Sequence, residues 1–296
     1  MRIGVDLGGT KIEAIAIEGT AERLRRRVPA PRGDYPATVA AVRDLVASVE
    51  RELGEKGSVG IGIPGAISAL TGLVKNANST WLIGQPLDRD LEQALGRPVR
   101  VSNDANCFAL SEATDGAASG AASMLGVILG TGTGSGIVMN GRVLEGRHRI
   151  AGEWGHNPLP WPDDEERPGP LCYCGRAGCI ETFLSGPGLS ATYGAISGQV
   201  AAAADVATLA AAGDVPANRA LDKYEHRLAR SLATVINVLD PEVIVLGGGL
   251  SNIARLYIRV PALLKPFVFS DSADTPIVAA RHGDSSGVRG AAWLWP

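Results

Sequence analysis

The chain has 296 residues and a formal net charge of −3, with a sequence pI of about 5.9, which argues against electrostatic binding of nucleic acid. Its 45% hydrophobic and 20% charged residues are typical of a soluble globular protein, and its length suits two domains. We find no apolar run of the ~18 residues that span a bilayer and no secretory leader before the first strand. We therefore expect a cytoplasmic protein without a membrane partner.

The chain begins with a predicted hairpin. Two alternating, β-branched stretches at 2–7 and 12–17 flank Gly8-Gly9, a pattern typical of strand, turn and strand. The basic cluster of Arg23 and Arg25 to Arg27 fits the solvated face of a strand or a turn. In chain order we then predict a helix over 37–53, strands over 58–63 and 99–102, a helix to about 113, strands over 125–129 and 137–139, a helix over 217–239, strands over 242–246 and 276–280, and a helix over 288–295. This mixture predicts an α/β protein.

Polar residues follow the strand predicted over 99–102. Asn103, Asp104 and Asn106 come where this buried strand ends, which is the edge at which open α/β sheets bind ligands. Asp104 is our candidate catalytic base, because an Asp accepts the proton of the attacking hydroxyl in phosphoryl transfer. The alternative is that Asp104 only caps the following helix, since Asp and Asn are favoured at helix starts.

The strand, glycine turn and strand recur about 120 residues after the first hairpin. The strand over 125–129 leads into a second glycine-rich turn that begins at Gly130, and another strand follows. This repeat predicts two related domains that face each other. We place them at 1–116 with 284–296, and at 117–283.

Three glycine-rich turns are candidate sites for nucleotide phosphates. Glycines let backbone N–H groups approach an anion without interference from Cβ atoms, and Asp6 at the end of the first strand is placed to hold Mg²⁺. Gly-Gly is also common in ordinary hairpins, so each turn alone is a weak signal, whereas the three together favour a nucleotide such as ATP. The candidates are Asp6, Gly8, Gly9, Thr10 and Lys11, then Gly130, Thr131, Gly132, Thr133 and Gly134, and finally Gly247, Gly248 and Gly249.

A histidine and three cysteines form the most specific pattern in the sequence. His156, Cys172, Cys174 and Cys179 supply the four nitrogen and sulfur ligands of a tetrahedral Zn²⁺ site. Because all four positions are filled by protein, the zinc is predicted to be structural. Buried free cysteines, or less plausibly a disulfide, are the alternatives. The Pro-rich and acidic residues 157–171 are predicted to form an exposed loop that leads to the cysteines.

Two glutamates bracket this pattern. The predicted zinc would fix Glu153 and Glu181 near each other, where their carboxylates suit the hydroxyls of a polyol. His156 has two ring nitrogens, so one can bind zinc while the other donates to a substrate hydroxyl. Cys107, outside the cluster, is predicted to be a small buried residue in its helix.

These motifs together resemble the ROK family of bacterial sugar kinases and repressors, over essentially the whole chain. The motifs are Asp6–Lys11, Gly62–Gly65, Asn103–Asn106, Gly130–Gly134, Gly152–His156 and Cys172–Glu181. Within the family, 74–82, 156–161 and 282–295 look most like the bacterial fructokinase (mannofructokinase) branch.

The resemblance implies an α/β, actin-like ATPase (ribonuclease H-like) fold, with two domains around a central cleft that closes over ATP and sugar. It also implies Mg²⁺ with ATP, zinc on His156 and the three cysteines, and a base at Asp104. The sugar contacts that it implies are Gly65, Asn78, Asn103, Asp104, Glu153, His156 and Glu181. Family likeness and base rates predict a homodimer.

The expected activity is ATP-dependent phosphorylation of a hexose, with D-fructose at its 6-hydroxyl as the first expectation and mannose as a second substrate. N-acetylglucosamine, N-acetylmannosamine or glucose are alternatives of the same class. A zinc-bearing transcription regulator and an actin-like ATPase are alternatives of other classes. Family repressors carry a helix-turn-helix module ahead of the kinase-like part, and Met1 stands one residue before the first strand, which favours an enzyme.

Overall fold

The computed structural model describes residues 1–283 and 286–296. The strands are β1 (Arg2–Leu7), β2 (Lys11–Glu18), β3 (Ala21–Pro29), β4 (Ser58–Ile63), β5 (Ala66–Ile67), β6 (Val74–Lys75), β7 (Val99–Asn103), β8 (Ser123–Leu129), β9 (Thr133–Met139), β10 (Arg142–Val143), β11 (Val243–Gly247) and β12 (Ile277–Ala279). The α-helices are α1 (Tyr35–Leu53), α2 (Leu87–Leu95), α3 (Asp104–Thr114), α4 (Ile180–Leu184), α5 (Gly186–Ser197), α6 (Ala203–Ala211), α7 (Val215–Leu239), α8 (Leu256–Leu264) and α9 (Ser286–Ala292). Of these, α2, α4, α5, α6 and α8 were not predicted from the sequence.

The chain divides into two compact units. The first comprises Met1–Gly120, Gly136–Ala151 and the C-terminal segment from 284, and the second comprises Ala121–Ser135 and Gly152–Gly283. Residues 136–151 therefore belong to the first unit, whereas the sequence-based division placed them in the second domain. That division stays a prediction about domains, and its boundary at 284 lies outside the described residues.

Two five-stranded sheets share one strand order. The first sheet has the order β3-β2-β1-β4-β7, and the second has the order β10-β9-β8-β11-β12. If the strands of each sheet are numbered one to five along the chain, both sheets have the order 3-2-1-4-5. In each sheet the first, fourth and fifth strands are parallel, and the third pairs antiparallel with the second. The predicted repeat is confirmed, and the fold is of the actin-like ATPase class.

The α1 helix covers one face of the first sheet. Its N-cap Asp34 accepts from the Ala37 N–H, and Gly54 ends it in the left-handed conformation. Its apolar stripe, which includes Val42 and Val46, is buried in the same core as the β1 side chains. Each fully buried aliphatic side chain of this kind contributes about 1.5–3 kcal/mol, so packing holds the helix in place.

Helix α9 packs on the same sheet so closely that glycines are required. A Cβ atom on Gly4 would lie 2.0 Å from the Val288 carbonyl oxygen, and one on Gly60 would lie 1.9 Å from that of Ala291. The Trp295 Nε1–H that follows donates to the Val59 carbonyl at 2.7 Å. The helix also packs against α3. The C-terminal residues thus support the helix that begins at Asp104.

In the described part of the chain, no helix is both long and apolar enough to cross a membrane. The Arg-rich cluster lies on β3, as predicted, where Arg25 and Arg27 donate to the buried carboxylate of Glu13.

Candidate functional site

The carboxyl ends of three parallel strands meet at one edge of the first sheet. In the β1–β4–β7 ladder Asp6 is opposite Gly62, and Ile63 is opposite Asn103. Asp6 is the last residue but one of β1, and Asp104 opens α3 directly after β7. The sheet therefore brings the predicted Mg²⁺ ligand and the predicted base to the same edge.

Asn103, and not Asp104, caps α3. The Asn103 Oδ1 accepts from the Ala105 N–H at 2.9 Å and from the Asn106 N–H at 3.3 Å, while its Nδ2 donates to the Gly65 carbonyl at 3.0 Å. The alternative in which Asp104 serves as the cap is therefore wrong, although its Oδ1 also accepts from the Ala105 N–H. These bonds use the Asn103 Oδ1 and one of the two Nδ2 hydrogens, so Asn103 positions the turn and its role in sugar contact stays a prediction.

The Asp6 carboxyl lies in an environment that disfavours its negative charge. Burial, and then the nearby charges of Asp104 and Glu13, raise its pKa to about 6, while Lys11 and Arg27 act in the opposite direction. A divalent cation beside Asp6 would relieve this repulsion, since hard cations bind carboxylate oxygens. The residues present therefore fit the predicted Mg²⁺.

The first glycine loop closes a tight hairpin. The Gly8 N–H donates to the Lys11 carbonyl at 3.0 Å, so this amide is used by the turn itself. Gly9 accepts from Arg32 Nε at 3.0 Å, and Thr10 is exposed. Of the remaining sugar-contact candidates in this unit, Gly65 has a φ of +74° and Asn78 is exposed.

The second unit brings the predicted zinc ligands together. The ligand atoms of His156, Cys172, Cys174 and Cys179 all lie within 4.8 Å of one another. The Cys174 and Cys179 sulfur atoms are 3.6 Å apart, as are Cys172 Sγ and His156 Nδ1. Sulfur ligands about 2.3 Å from a tetrahedral zinc lie about 3.8 Å from each other. The donor set and its spacing fit Zn²⁺, and no disulfide joins these cysteines.

Short local elements position these ligands. His156 ends a 3₁₀ helix, Trp154–His156, and Cys179 is the N-cap of α4. Between them, the Cys172 N–H donates to the Arg176 carbonyl at 2.7 Å and closes the turn that carries Cys174. Gly175 and Gly178 have φ values of +87° and +74°, which this turn needs and glycine adopts most readily.

Tyr173 is a functional candidate that the sequence interpretation missed. Its hydroxyl lies 3.0 Å from His156 Nε2, the nitrogen that was expected to face the substrate. Although most of the Tyr173 side chain is exposed, partial desolvation, followed by the charges of Glu181 and Glu153, raises its pKa to about 12, so the hydroxyl is protonated at neutral pH. Its place between two predicted zinc ligands in the sequence was the available signal. Tyr173, Glu153 and Glu181 thus share one neighbourhood.

Glu181 contacts the second glycine loop. Its Oε2 accepts from the Thr133 N–H at 2.9 Å, and a Cβ atom on Gly132 would lie 2.6 Å from the same oxygen. The Gly132 carbonyl accepts from the Gly130 N–H at 3.0 Å. The N–H groups of Gly130 and Thr133 are thus paired within the protein, and the assignment of residues 130–134 to a phosphate loop stays a prediction.

A cavity of about 1080 Å³ opens beside the second and third glycine loops. Apart from their chain neighbours, none of the described residues places an atom within 4 Å of the Cβ position of Gly130 or Gly249, so both backbones face open space. The cavity walls include Gly130, Thr131, Gly186, Pro187, Ala203, Ala207, Ala211, Gly249 and Arg255. Small residues of α6 and the N-terminus of α5 form much of this wall, and neither helix was predicted. The alanine-rich stretch 201–212 was the available sequence signal.

Gly248 has a structural reason to be glycine. Its φ is +81°, and a Cβ atom there would lie 2.5 Å from the Leu129 carbonyl oxygen. Gly247 is buried as the last residue of β11. Of the three glycines in this turn, Gly249 is the one that borders the cavity.

The loop over 157–171 was predicted to be exposed, which is wrong for Glu166. This residue is 5% exposed and receives hydrogen bonds from Arg227 at 2.7 Å and from Arg230 at 2.8 Å. The Asp163 carboxylate also accepts from the Glu166 N–H, which completes a capping box. The loop leading to Cys172 is therefore anchored on α7.

Known proteins share this arrangement over the full chain. The sequence model described as the ROK family matches residues 2–296. An N-acetyl-D-glucosamine kinase from Aliivibrio salmonicida is 43% identical over 299 residues, covering 99% of each chain. The ROK hexokinase of Thermus thermophilus is 33% identical with a TM-score of 0.86, over 98% of this chain and 96% of that one. A ROK family glucokinase from Streptomyces griseus, solved with glucose and AMPPNP, is 28% identical with a TM-score of 0.78, over 99% and 98%.

Proposed function

Because this chain belongs to the ROK family, we propose that it is an ATP-dependent hexose kinase that phosphorylates the 6-hydroxyl of N-acetyl-D-glucosamine. The observation that supports this substrate is the N-acetyl-D-glucosamine kinase that is 43% identical over 99% of both chains. The first expectation, fructose, has no such support. The alternative substrate of the same class is therefore preferred.

The cavity of the second unit would hold the nucleotide. Its alanine-lined wall suits a flat apolar base, and the open backbones of Gly130 and Gly249 admit a close ligand. The 12-residue helix α5 begins at the cavity wall with Gly186 and Pro187, so its positive dipole end favours phosphate there. Bound ATP supplies the phosphoryl group, and Mg²⁺ offsets the charge of its phosphates. Asp6 is the proposed magnesium residue, with Gly8 to Lys11 as the first phosphate loop.

Asp104 would accept the proton of the attacking hydroxyl. It opens α3 at the carboxyl edge of the sheet, and Asn103 fixes that turn through three hydrogen bonds. An ionised carboxylate at this place raises the nucleophilicity of a hydroxyl as its proton leaves. The electrostatic influence of Asp104 on Asp6 supports a proton acceptor close to the proposed cation.

The zinc cluster would give rigidity to the sugar-binding residues. Zinc bound by His156 and the three cysteines supplies structural cross-linking and takes no part in phosphoryl transfer. Glu153 precedes the His156 turn, and Glu181 follows Cys179 by two residues. Both carboxylates are proposed to accept hydrogen bonds from sugar hydroxyls, with His156 as a third contact.

A coupled ADP-release assay tests the proposed function. We expect kcat/KM to be highest for N-acetyl-D-glucosamine in a panel with N-acetyl-D-mannosamine, D-glucose, D-mannose and D-fructose. A higher value for D-fructose would contradict the proposed substrate and restore the first expectation. ATP hydrolysis that no sugar stimulates would contradict kinase function itself and favour the actin-like ATPase alternative.

The predicted homodimer stays a prediction. Light scattering of the purified protein, with and without nucleotide, measures the assembly directly. A mass close to the 30.6 kDa of one chain would contradict it.

A further inference from the structure

We propose that Glu181 is a positioning residue that couples sugar occupancy to the second glycine loop, 130–134. One carboxylate oxygen, Oε2, holds the Thr133 N–H at 2.9 Å. The other, Oε1, is assigned to a substrate hydroxyl. This inference rests on the proposed kinase function and adds to it a link between the two substrates within the second unit.

The first observation is the contact itself. Glu181 lies 48 residues from Thr133 in sequence and is the second residue of α4, whose N-cap is the proposed zinc ligand Cys179. The zinc cluster therefore fixes the helix that delivers this carboxylate to the loop. A charge-assisted hydrogen bond from a backbone N–H to a carboxylate is stronger than a neutral one, so the loop conformation depends on where Glu181 sits.

The second observation is that Gly132 makes room for this carboxylate. A Cβ atom there would lie 2.6 Å from Glu181 Oε2 and 3.5 Å from its Cδ. Both atoms belong to a flexible side chain and not to the backbone. Gly132 is therefore explained by Glu181, whereas Gly130, with open space at its Cβ position, borders the cavity.

The third observation is that the rest of this loop is held by the segment that carries Glu153. A Cβ atom on Gly155 would lie 2.1 Å from the Thr133 carbonyl oxygen, and one on Gly152 would lie 2.3 Å from that of Ser135. Ser135 Oγ also donates to the Gly152 carbonyl at 2.7 Å. Residues 133–135 are thus enclosed by the two segments that carry the proposed sugar contacts, Glu153 and Glu181.

The fourth observation is an unsatisfied polar atom in the same residue. Thr133 is 5% exposed, and among the described residues its Oγ1 has no hydrogen-bond partner. A buried hydroxyl of this kind is costly until a ligand or water atom pairs with it. A ligand atom that reaches Thr133 Oγ1 would therefore add a hydrogen bond to this loop, besides the hydrogen bond that Glu181 already makes with the Thr133 N–H.

The consequence is thermodynamic linkage. If a sugar hydroxyl holds the Glu181 carboxylate in place, the Thr133 loop is held as well and binds phosphate more tightly. The coupling must be reciprocal, so nucleotide strengthens sugar binding by the same factor. In the unmodified protein we expect N-acetyl-D-glucosamine to lower the Kd of a non-hydrolysable ATP analogue by about five-fold or more.

The variant Gly132→Ala tests the inference. Its methyl group meets only the flexible end of Glu181, so the fold is retained while the carboxylate is displaced from the Thr133 N–H. We expect the coupling factor, measured by calorimetry with and without sugar, to fall towards one. The matched control is Gly287→Ala in α9, where a Cβ atom would meet no atom of the described residues within 4 Å, and its coupling should equal that of the unmodified protein.

Two substitutions at Glu181 distinguish a positioning role of this residue from general damage to the structure. Glu181→Gln keeps an oxygen that can accept from Thr133, so it should retain coupling even where sugar affinity falls. Glu181→Ala should lose it. Equal coupling in Gly132→Ala and the unmodified protein, or no coupling in the unmodified protein, would overturn the inference. Failure of the proposed function is a different result, namely the absence of sugar phosphorylation in the unmodified enzyme.

Discussion

The two hairpins of this chain share a backbone plan but differ at one matched position. Asp6 stands opposite Gly62 in the β1–β4 pair, and Ile128 stands opposite Gly247 in the β8–β11 pair. Each residue comes two positions before the first glycine of its loop. A carboxylate at this position creates the charged edge near Asp104, whereas isoleucine leaves the second loop beside an apolar cavity. The two hairpins thus differ in charge at one matched position, and the first carries the proposed cation residue there.

The loops also differ in what holds them. The first is closed by its own backbone, through the Gly8 N–H and the Lys11 carbonyl. The second is held from outside by Glu181, which belongs to the helix after the zinc cluster. Both loops have a closing backbone hydrogen bond, from Gly8 to Lys11 and from Gly130 to Gly132, and they differ in the side chain that holds them from outside. Arg32 donates to the Gly9 carbonyl of the first loop, whereas Glu181 accepts from the Thr133 N–H of the second. The four predictions below test these differences, starting with the largest effect.

Asp104→Asn should remove the proposed proton acceptor, which follows the first sheet, without affecting the second loop. We expect kcat to fall about 10²- to 10⁴-fold, because general-base catalysis contributes that range. The Kd of an ATP analogue should stay close to that of the unmodified protein. Asp44→Asn, on the exposed surface of α1, is the control and should keep full activity. Near-normal turnover by Asp104→Asn would show that another group accepts the proton.

Cys179→Ser should disrupt the second loop through the metal. Loss of one of four ligands weakens zinc binding, and α4 then no longer presents Glu181 in a fixed position. We expect most of the zinc to be lost and kcat/KM for sugar to fall about 10- to 100-fold. Elemental analysis and the coupled assay measure both. The control is Cys107→Ala, which should keep one zinc per chain because Cys107 is buried outside the cluster. A fully active, zinc-free Cys179→Ser protein would refute the structural role of zinc.

Asp6→Asn should stabilise the metal-free protein at neutral pH. The folded pKa of Asp6 is about 6, above its ordinary value of 3.8. The folded state therefore binds the proton more tightly, and ionisation above pH 6 costs stability. Removing the charge should raise the free energy of unfolding by about 3 kcal/mol at pH 7, and the gain should disappear as the pH falls through 6 towards 4.

The measurement for Asp6→Asn is urea unfolding in EDTA across this pH range. Asp44→Asn again serves as the control, since a hydrogen bond from Arg43 lowers the pKa of Asp44 and no comparable gain is expected. A loss of stability in Asp6→Asn at pH 7 would mean that the ionised Asp6 is stabilised by its surroundings. That result would weaken the contrast with Ile128.

Tyr173→Phe should have the smallest effect, within the sugar shell of the second unit. Its hydroxyl is hydrogen-bonded to His156 Nε2, so a sugar hydroxyl that binds to this nitrogen must displace the Tyr173 hydroxyl. Loss of one such hydrogen bond changes binding by about 0.5–1.5 kcal/mol, so KM for sugar should fall about two- to ten-fold with kcat unchanged. Tyr257→Phe, away from the cluster, should leave KM unaltered. An increased KM in Tyr173→Phe would instead make Tyr173 a direct sugar ligand.

The sequence by itself determined the features that depend on short spacing. The proposed zinc ligands, both hairpins and the strand that ends at Asn103 follow from local patterns, because turns and β-alternation need only neighbouring residues. The ROK family followed from the same motifs. The preferred hexose did not follow from the motifs. Neither their spacing nor the carboxylate and imidazole groups that are proposed to bind sugar distinguish one hexose from another.

Tertiary structure decided the contacts between residues far apart in the chain. It placed Glu181 on the Thr133 N–H, buried Glu166 between two arginines of α7, and lined the cavity with α5 and α6. It also assigned the helix cap to Asn103 and set the Tyr173 hydroxyl on His156. These arrangements depend on which surfaces pack together after the sheets have formed. Packing is set by the whole chain, so no short stretch of sequence encodes it.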